Sequence, residues 1–209
     1  MLGMKFLRCL QTVDELQCCS CDKKCSFIDY PSSLENCPIP PFYIWPDSNP
    51  LLKEGFICFL NQTKFKHSAQ RTVFINFSTF FLHNFLNDNW FKEFSNSRII
   101  LVCDRKLAPL ANYFFYSEPS FSTISSVIYP HDDNDTIAEK IFNTLNGRIY
   151  PPSRKMERLS INEFRILQKY YKGMNTKKIA SIYNYNVKTV YTYKARIEKK
   201  LQLRLRDTI

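Results

Sequence analysis

The sequence lacks the patterns that mark membrane and secreted proteins. It has no run of about 18 uninterrupted apolar residues, the minimum for a membrane-spanning helix. Its N-terminus, Met1 to Arg8, is interrupted by charge after a few apolar residues and carries no signal-peptide cleavage site. We therefore expect a soluble, cytoplasmic protein.

Histidine is scarce, and no catalytic arrangement is visible. His67, His83 and His131 are scattered, without a nucleophile or a carboxylate partner at a recognisable spacing. The acidic pair Asp132-Asp133 beside His131 is more typical of a helix start than of a metal site. The sequence thus predicts neither an enzyme nor a bound cofactor.

Acidic residues are scarce at one end of the chain only. The last 57 residues hold 15 Lys and Arg but 4 Asp and Glu, a net charge of +11, whereas the rest of the chain has a net charge of −1. The basic segment has helical patterning and no lipid-insertion signal. It therefore favours a nucleic-acid partner over a membrane surface.

The eight cysteines are unevenly distributed, with six of them in the first 37 residues. Cys18, Cys21 and Cys25, with Cys9 or Cys37 as a fourth ligand, have a spacing that could hold a tetrahedral zinc ion. No second tight pair and no nearby histidine supports that site, and without a secretion signal we expect reduced thiols. The alternative that we favour is a metal-free, poorly ordered arm outside either core.

Prolines and apolar runs divide the chain into four parts. Six prolines interrupt residues 31–50, and Pro151-Pro152 precede a short basic stretch. Between these boundaries, buried strands are expected near residues 42–45, 72–75, 98–103 and 126–129, and helices near 50–61, 79–95, 105–115 and 135–146. This alternation predicts a parallel sheet flanked by helices. The predicted parts are an arm (1–38), an α/β domain (39–150), a linker (151–158) and an all-α domain (159–209).

The all-α part has the pattern of a helix-turn-helix. Ser160 and Glu163 form a capping box that opens a helix ending near Gly173. Asn175 or Thr176 caps a short second helix, and a third helix runs from about Val187 to Leu201. The third helix has an apolar stripe and an opposite polar-basic face, as expected of a helix that enters the major groove of DNA.

These landmarks closely resemble the LuxR/NarL/FixJ-type helix-turn-helix. The resemblance rests on Leu159-Ser160-x-x-Glu163, Gly173-x-x-x-Lys177-x-Ile179-Ala180, Thr189-Val190 and Ile197-x-x-Lys200-Leu201. It implies a double-stranded promoter DNA partner and a homodimer, or a heterodimer with a related regulator. The expected DNA-binding residues are Thr176, Lys177, Lys178, Lys188, Thr189, Tyr191, Thr192, Lys194, Ala195 and Arg196. Tyr191 and Tyr193 depart from the family, in which Lys and His are usual.

The α/β part resembles a NarL-type receiver domain that has lost its chemistry. The similarity lies in Asp47-Ser48-Asn49-Pro50, Val73-Phe74-Ile75-Asn76-Phe77, Leu101-Val102-Cys103 and Asn146-Gly147. Asn76 occupies the position of the phospho-acceptor Asp, Ser48 that of a magnesium-binding acid and Cys103 that of the switch Ser/Thr, while Tyr129-Pro130 stands where a Lys is expected. An amide is neither an effective nucleophile nor an anionic magnesium ligand. The interval from Asp47 to Asn76 is also short, which predicts that one strand–helix unit is missing.

A narrower similarity connects residues 40–205 with EcpR (MatA) type regulators of fimbrial operons, through Tyr43-Ile44-Trp45, Leu110-Ala111-Asn112-Tyr113 and Thr189-Val190-Tyr191-Thr192. It implies a transcription regulator of a surface-adhesion operon, and the loss of the acceptor Asp predicts that this regulator works without phosphorylation. The fold class expected is a truncated receiver-like α/β domain followed by an all-α LuxR-type helix-turn-helix domain. The alternative is an interaction partner that heterodimerises with another LuxR-type regulator and has little DNA affinity of its own.

Overall fold

A computed structural model of the chain describes residues 16–20, 41–63, 71–87, 90–94, 96–117 and 124–205. In these ranges, four parallel strands form one sheet in the order β1 (Phe42–Trp45), β2 (Arg71–Phe77), β3 (Ser97–Cys103) and β4 (Ile124–Ile128). Among the described residues, no helix combines the length and the apolar character that crossing a membrane demands.

The order of the strands in the sheet is consistent with the loss of one strand–helix unit. The short interval between Asp47 and Asn76 predicts that loss. A common doubly wound order is 2-1-3-4-5, and removing its second strand leaves four strands in sequence order. The described sheet has that sequential order, with Tyr43 opposite Val73 and Val73 opposite Ile99.

Each face of the sheet is covered, because alternate residues of a strand point to opposite sides. On one face, Phe42, Ile44 and Phe74 pack against α1 (Pro50–Thr63) and α4 (Asn134–Leu145). On the other face, Tyr43, Val73 and Leu101 pack against the segment 79–94 and α3 (Ala108–Ser117). This second core continues into the C-terminal helices.

The segment expected to be one helix over residues 79–95 is broken into short turns, so that prediction was wrong. It contains 3-10 turns at Thr79–Phe81 and Trp90–Phe94, with α2 (Leu82–Phe85) between them. Phe85, Trp90 and Phe94 of this segment are buried against Trp45 and Phe77, with Trp90 stacked on Trp45 at 6.3 Å. Packing large rings on a flat sheet face has overridden the helical spacing.

Part of the predicted arm belongs to the core, which corrects the expectation that residues 1–38 lie outside it. Leu16 is fully buried, and Cys18 and Cys19 are 4% exposed. The Cys19 N–H donates to the Phe42 carbonyl (2.9 Å), and the Phe42 N–H donates to Ser20 Oγ (3.1 Å). Residues 16–20 thus line the free edge of β1. The other proposed zinc ligands, Cys9, Cys21, Cys25 and Cys37, lie outside the described residues.

The C-terminal domain consists of α5 (Ile161–Tyr171), α6 (Thr176–Tyr183) and α7 (Val187–Leu201). The predicted capping box is present, because Ser160 Oγ accepts from the Glu163 N–H (3.2 Å) and Glu163 Oε2 accepts from the Ser160 N–H (2.7 Å). Asn175 caps α6 and Asn186 caps α7 through their side-chain oxygens. The fold class expected from the sequence is confirmed.

The two domains are in direct contact. Gln168 of α5 donates to the Leu86 carbonyl (2.8 Å), and the Leu159 N–H donates to the Pro109 carbonyl (3.0 Å). The Phe164 ring lies 4.6 Å from that of Tyr113 and 5.2 Å from that of Phe114. The sheet domain therefore packs against the buried face of α5.

Candidate nucleic-acid interface

The outward face of α7 is the strongest candidate surface for DNA. Val190, Ile197 and Leu201 are fully buried and fix the rotation of the helix. Lys188, Tyr191, Thr192 and Ala195 are exposed on the opposite side, at the helical spacing that places them on one face. Tyr191 exposes 51% of its surface, a large fraction for an aromatic residue.

Local hydrogen bonds determine how α7 begins and how Thr192 is oriented. Asn184 ends α6 in the left-handed conformation (φ 53°), and Asn186 Oδ1 accepts from the Lys188 N–H (2.9 Å). The Thr192 hydroxyl donates to the Lys188 carbonyl (3.0 Å), which leaves its oxygen lone pairs available as acceptors. The turn is therefore short and well capped, as a helix-turn-helix requires.

Cationic side chains surround this face. Lys177 and Lys178 are exposed in the first turn of α6, and Arg196 is exposed on α7. The neutral Thr189 is also exposed on α7. The nearby acids are used internally: Glu163 pairs with Lys200 at 2.8 Å, and Glu198 accepts from the Leu205 N–H at 2.8 Å. The surface consequently keeps its positive charge, which suits a polyanion.

Two predicted DNA-binding residues are not on the open surface. Thr176 is 3% exposed, and its hydroxyl is hydrogen-bonded to that of Tyr170 (2.8 Å), so the expectation that its side chain contacts DNA is corrected. Lys194 is half-buried, with its ammonium 5.3 Å from the centre of the Tyr170 ring. The buried Thr176 hydroxyl therefore joins the start of α6 to α5, which is a structural role.

Asn76 and Cys103, which the sequence resemblance aligns with the phospho-acceptor and switch positions of a receiver, lie at the carboxyl ends of β2 and β3. Asn76 is 8% exposed at the end of β2. Burial, reinforced by Asp104 and Asp132, raises the pKa of the Cys103 thiol to about 12, so it stays neutral at physiological pH. Asp104 is already engaged, since its carboxylate accepts from the Thr79 N–H (2.6 Å), the Thr79 hydroxyl and the Leu107 N–H (2.8 Å).

Sequence reasoning missed a lysine near this edge. Lys140 of α4 is 4% exposed; it forms an ion pair with Asp132, and its ammonium lies 4.8 Å from the Tyr129 ring centre. Burial raises the pKa of the Tyr129 hydroxyl, which donates to Asn112. Lys140 comes from a helix and not from the strand end, so motif spacing gave no signal for it. The neighbouring Asp133 caps α4, as its predicted role at a helix start requires.

The metal hypothesis receives no support from the described residues. Within them, no group of three or more His, Cys, Asp or Glu side chains is placed to hold a metal ion. Cys18 is buried beside Cys19, whose thiol pKa is raised to about 12, chiefly by burial.

Comparisons with known proteins agree with the two-domain division. Residues 17–145 match the family described as the EcpR N-terminal domain, and residues 157–208 match the luxR family of bacterial regulatory proteins. The chain is 31% identical over 189 residues to a protein of Escherichia coli (strain K12) called "Uncharacterized protein YqeH", and the match covers 89% of this chain and 88% of that protein.

Solved structures of the response regulator RcsB are also similar. A structure of two RcsB dimers bound to two parallel DNAs matches with a TM-score of 0.45 and 15% identity, covering 76% of this chain and 90% of the other. RcsB from Salmonella enterica serovar Typhimurium, bound to promoter rprA, matches with a TM-score of 0.37 and 14% identity, covering 78% of this chain and 96% of the other.

Proposed function

The chain belongs to the EcpR N-terminal domain family and carries a luxR-family DNA-binding regulatory domain, and on this basis we propose that it is a sequence-specific transcription regulator of a surface-adhesion operon that works without phosphorylation. The observation that carries the proposal is the exposed face of α7, on which polar and cationic side chains stand opposite a fully buried stripe. The site of action would be the cytoplasm, where a bacterial chromosome is located.

In this proposal, phosphate contacts supply affinity and α7 supplies sequence preference. Lys188, Tyr191, Thr192 and Ala195 face the major groove, while Lys177, Lys178 and Arg196 lie nearer the phosphates, with Lys194 beside them. The active species is a dimer, either of this chain or with a related regulator, joined through the helices that flank the sheet.

The DNA-binding part is tested with purified protein and genomic fragments. We expect the protein alone to enrich a small set of promoter fragments, including one upstream of adhesion genes, and to retain them against excess unrelated DNA. Enrichment of promoters unrelated to adhesion would refute the proposed operon and leave DNA binding intact. If the chain bound no fragment until a second LuxR-type regulator was added, the heterodimer alternative would replace the proposal.

Phosphorylation independence is tested by chemistry at the former acceptor site. The supporting observations are the amide of Asn76, the neutral thiol of Cys103 and the engaged carboxylate of Asp104. Acetyl phosphate with Mg²⁺ should leave both the mass of the chain and its DNA affinity unchanged, and Asn76→Ala should still bind DNA. A gain of one phosphoryl group on Asp47 or Asp104, with tighter DNA binding, would restore a phosphorelay role.

A further inference from the structure

A cavity of about 630 Å³ lies between the sheet domain and the helix-turn-helix domain. Tyr113 and Tyr116 of α3 line one side, and Phe164 of α5 lines the other. The volume falls within the range of roughly 300–1,000 Å³ that is usual for small-molecule sites. Because its walls come from both domains, an occupant would contact both at once.

Among the described residues, the charged side chains that line this cavity are all cationic: Lys92, Arg158, Arg165 and Lys200. No aspartate or glutamate of the described residues is among the lining side chains. Lys200 is neutralised by Glu163 at 2.8 Å, and the Arg158 guanidinium lies 5.3 Å from the centre of the Tyr116 ring. Lys92, Arg158 and Arg165 remain to attract a negative group, and guanidinium groups match carboxylate and phosphate oxygens with paired donors.

Half of the other lining side chains are aromatic. Tyr113, Phe114 and Phe164 form a cluster with ring centres 4.6–5.4 Å apart. Ring faces and edges of this kind favour a flat aromatic partner over a branched aliphatic one.

We propose that this cavity binds a small planar aromatic anion, either an aryl carboxylate or a nucleotide. The ring of the ligand packs against the half-buried Tyr113 and Tyr116, which lie beside the buried Phe164, and its negative group is held by Arg158 and Arg165. The site would give the chain a small-molecule effector, independent of the former phosphorylation site.

The cavity is separate from the base-contacting face of α7. Lys200, which lines the cavity, stands 12 positions after Lys188, a separation of about 18 Å along a helix. The cationic lining is therefore not explained by contacts of the recognition helix with base edges.

The test uses the full chain and a fluorescent probe of the proposed class, 8-anilinonaphthalene-1-sulfonate. We expect one site per chain, and we expect Arg158→Gln combined with Arg165→Gln to raise the Kd of the probe at least tenfold. The matched control, Arg154→Gln combined with Lys155→Gln, removes two positive charges from the same region outside the cavity and should change the Kd less than twofold. N-phenyl-1-naphthylamine, which has the same rings without the sulfonate, should respond to neither variant. Equal effects of the two double variants would overturn the proposal.

Two further arms identify the source of the ligand and exclude DNA phosphates. Displacement of the probe by benzoate favours an aryl carboxylate as the ligand, and displacement by guanosine monophosphate favours a nucleotide. If inorganic phosphate displaced the probe as well as these aromatic compounds do, the proposed role of the aromatic walls would be overturned. When duplex DNA is added, the Kd of the probe should either stay unchanged or change only up to a limiting value that is reached when the DNA is saturating. A Kd that rises in proportion to the DNA concentration would show direct competition and refute a separate site.

Discussion

Tyr191 and Lys177 are both exposed, yet they are expected to act on DNA in different ways. Tyr191 stands on the outward face of α7, whereas Lys177 lies in the first turn of α6. Replacing Tyr191 or Thr192 with Ala should relax sequence preference at one base pair, at a cost of about 1–3 kcal/mol for the preferred site. Competition binding against a set of single-base operator variants measures this effect.

Lys177→Ala, or Lys178→Ala, should weaken binding to all sequences alike. Each variant should also lower the salt slope of log Kd by about one, because one fewer phosphate is neutralised. Lys172→Ala, an exposed lysine just after α5, is the matched control. A uniform loss from Tyr191→Ala, equal to that from Lys177→Ala, would show that the assignment to the groove is wrong.

The cysteines among the described residues should differ sharply in their reactivity towards alkylating reagents. Cys58 is exposed on α1, whereas burial raises the thiol pKa of Cys19 and Cys103 to about 12. At pH 8 only about one in ten thousand of those two thiols is ionised, and the thiolate is the nucleophile. Iodoacetamide followed by peptide mass analysis should therefore modify Cys58 rapidly, and Cys19 and Cys103 only after unfolding. Rapid native modification of Cys103 would mean that the end of β3 is open to solvent.

The same two thiols should make stability depend on pH in alkali. Their folded pKa values are raised, so between about pH 9 and pH 12 the unfolded chain releases protons that the folded chain retains. The free energy of unfolding should fall as the pH rises through this window. Cys103→Ala, measured by urea unfolding at several pH values, should show a shallower fall than the unmodified chain.

At the scale of elements, residues 16–20 should contribute to stability in spite of their separation from β1 in sequence. Leu16 is fully buried in the core that contains Trp45 and Phe77, whereas its neighbour Gln17 is exposed. Leu16→Ala should lower the free energy of unfolding by about 2–5 kcal/mol, the range for deleting a buried leucine side chain. Gln17→Ala, the matched control, should change it little, and equal small effects would show that this segment is not part of the core.

The elements that could be predicted are those specified by local pattern. The strand β3 and the helix α7 match the expected ranges closely. The apolar run Ile99-Ile100-Leu101 is sufficient to predict β3, and the apolar stripe with a cap at each end is sufficient to predict α7. Segment 79–94 could not be predicted, since the packing of Trp90 on Trp45 depends on the sheet being formed first. Leu16 gave no signal for the same reason: its partner strand lies 26 residues later.

The candidate site divides in the same way. The outward face of α7 followed from helical spacing, and Thr176 was misassigned because only the fold reveals its bond to Tyr170. Lys140 and the cavity between the domains arise from elements far apart in the chain. Such features depend on tertiary contacts that no local motif encodes.

At the scale of the whole molecule, the contact between the two domains should make them unfold together. The buried bond from Gln168 to the Leu86 carbonyl and the packing of Phe164 on Tyr113 join one core across the boundary. Both tryptophans, Trp45 and Trp90, lie in the sheet domain, so their fluorescence reports on that domain, while helical circular dichroism also reports on α5 to α7. We expect the two signals to give the same midpoint in thermal unfolding.

A single substitution at the boundary should separate the two signals. Gln168→Ala leaves the buried Leu86 carbonyl without the donor that crosses from α5, at a cost of about 1–3 kcal/mol. The circular dichroism midpoint should then fall below the fluorescence midpoint, because the small helical domain loses its support while the sheet keeps its own core. Lys172→Ala, one turn further along and exposed, should leave the two midpoints together. Separate midpoints in the unmodified chain would show instead that the domains are independent, and the cavity between them would then lose the fixed walls that a bound ligand needs.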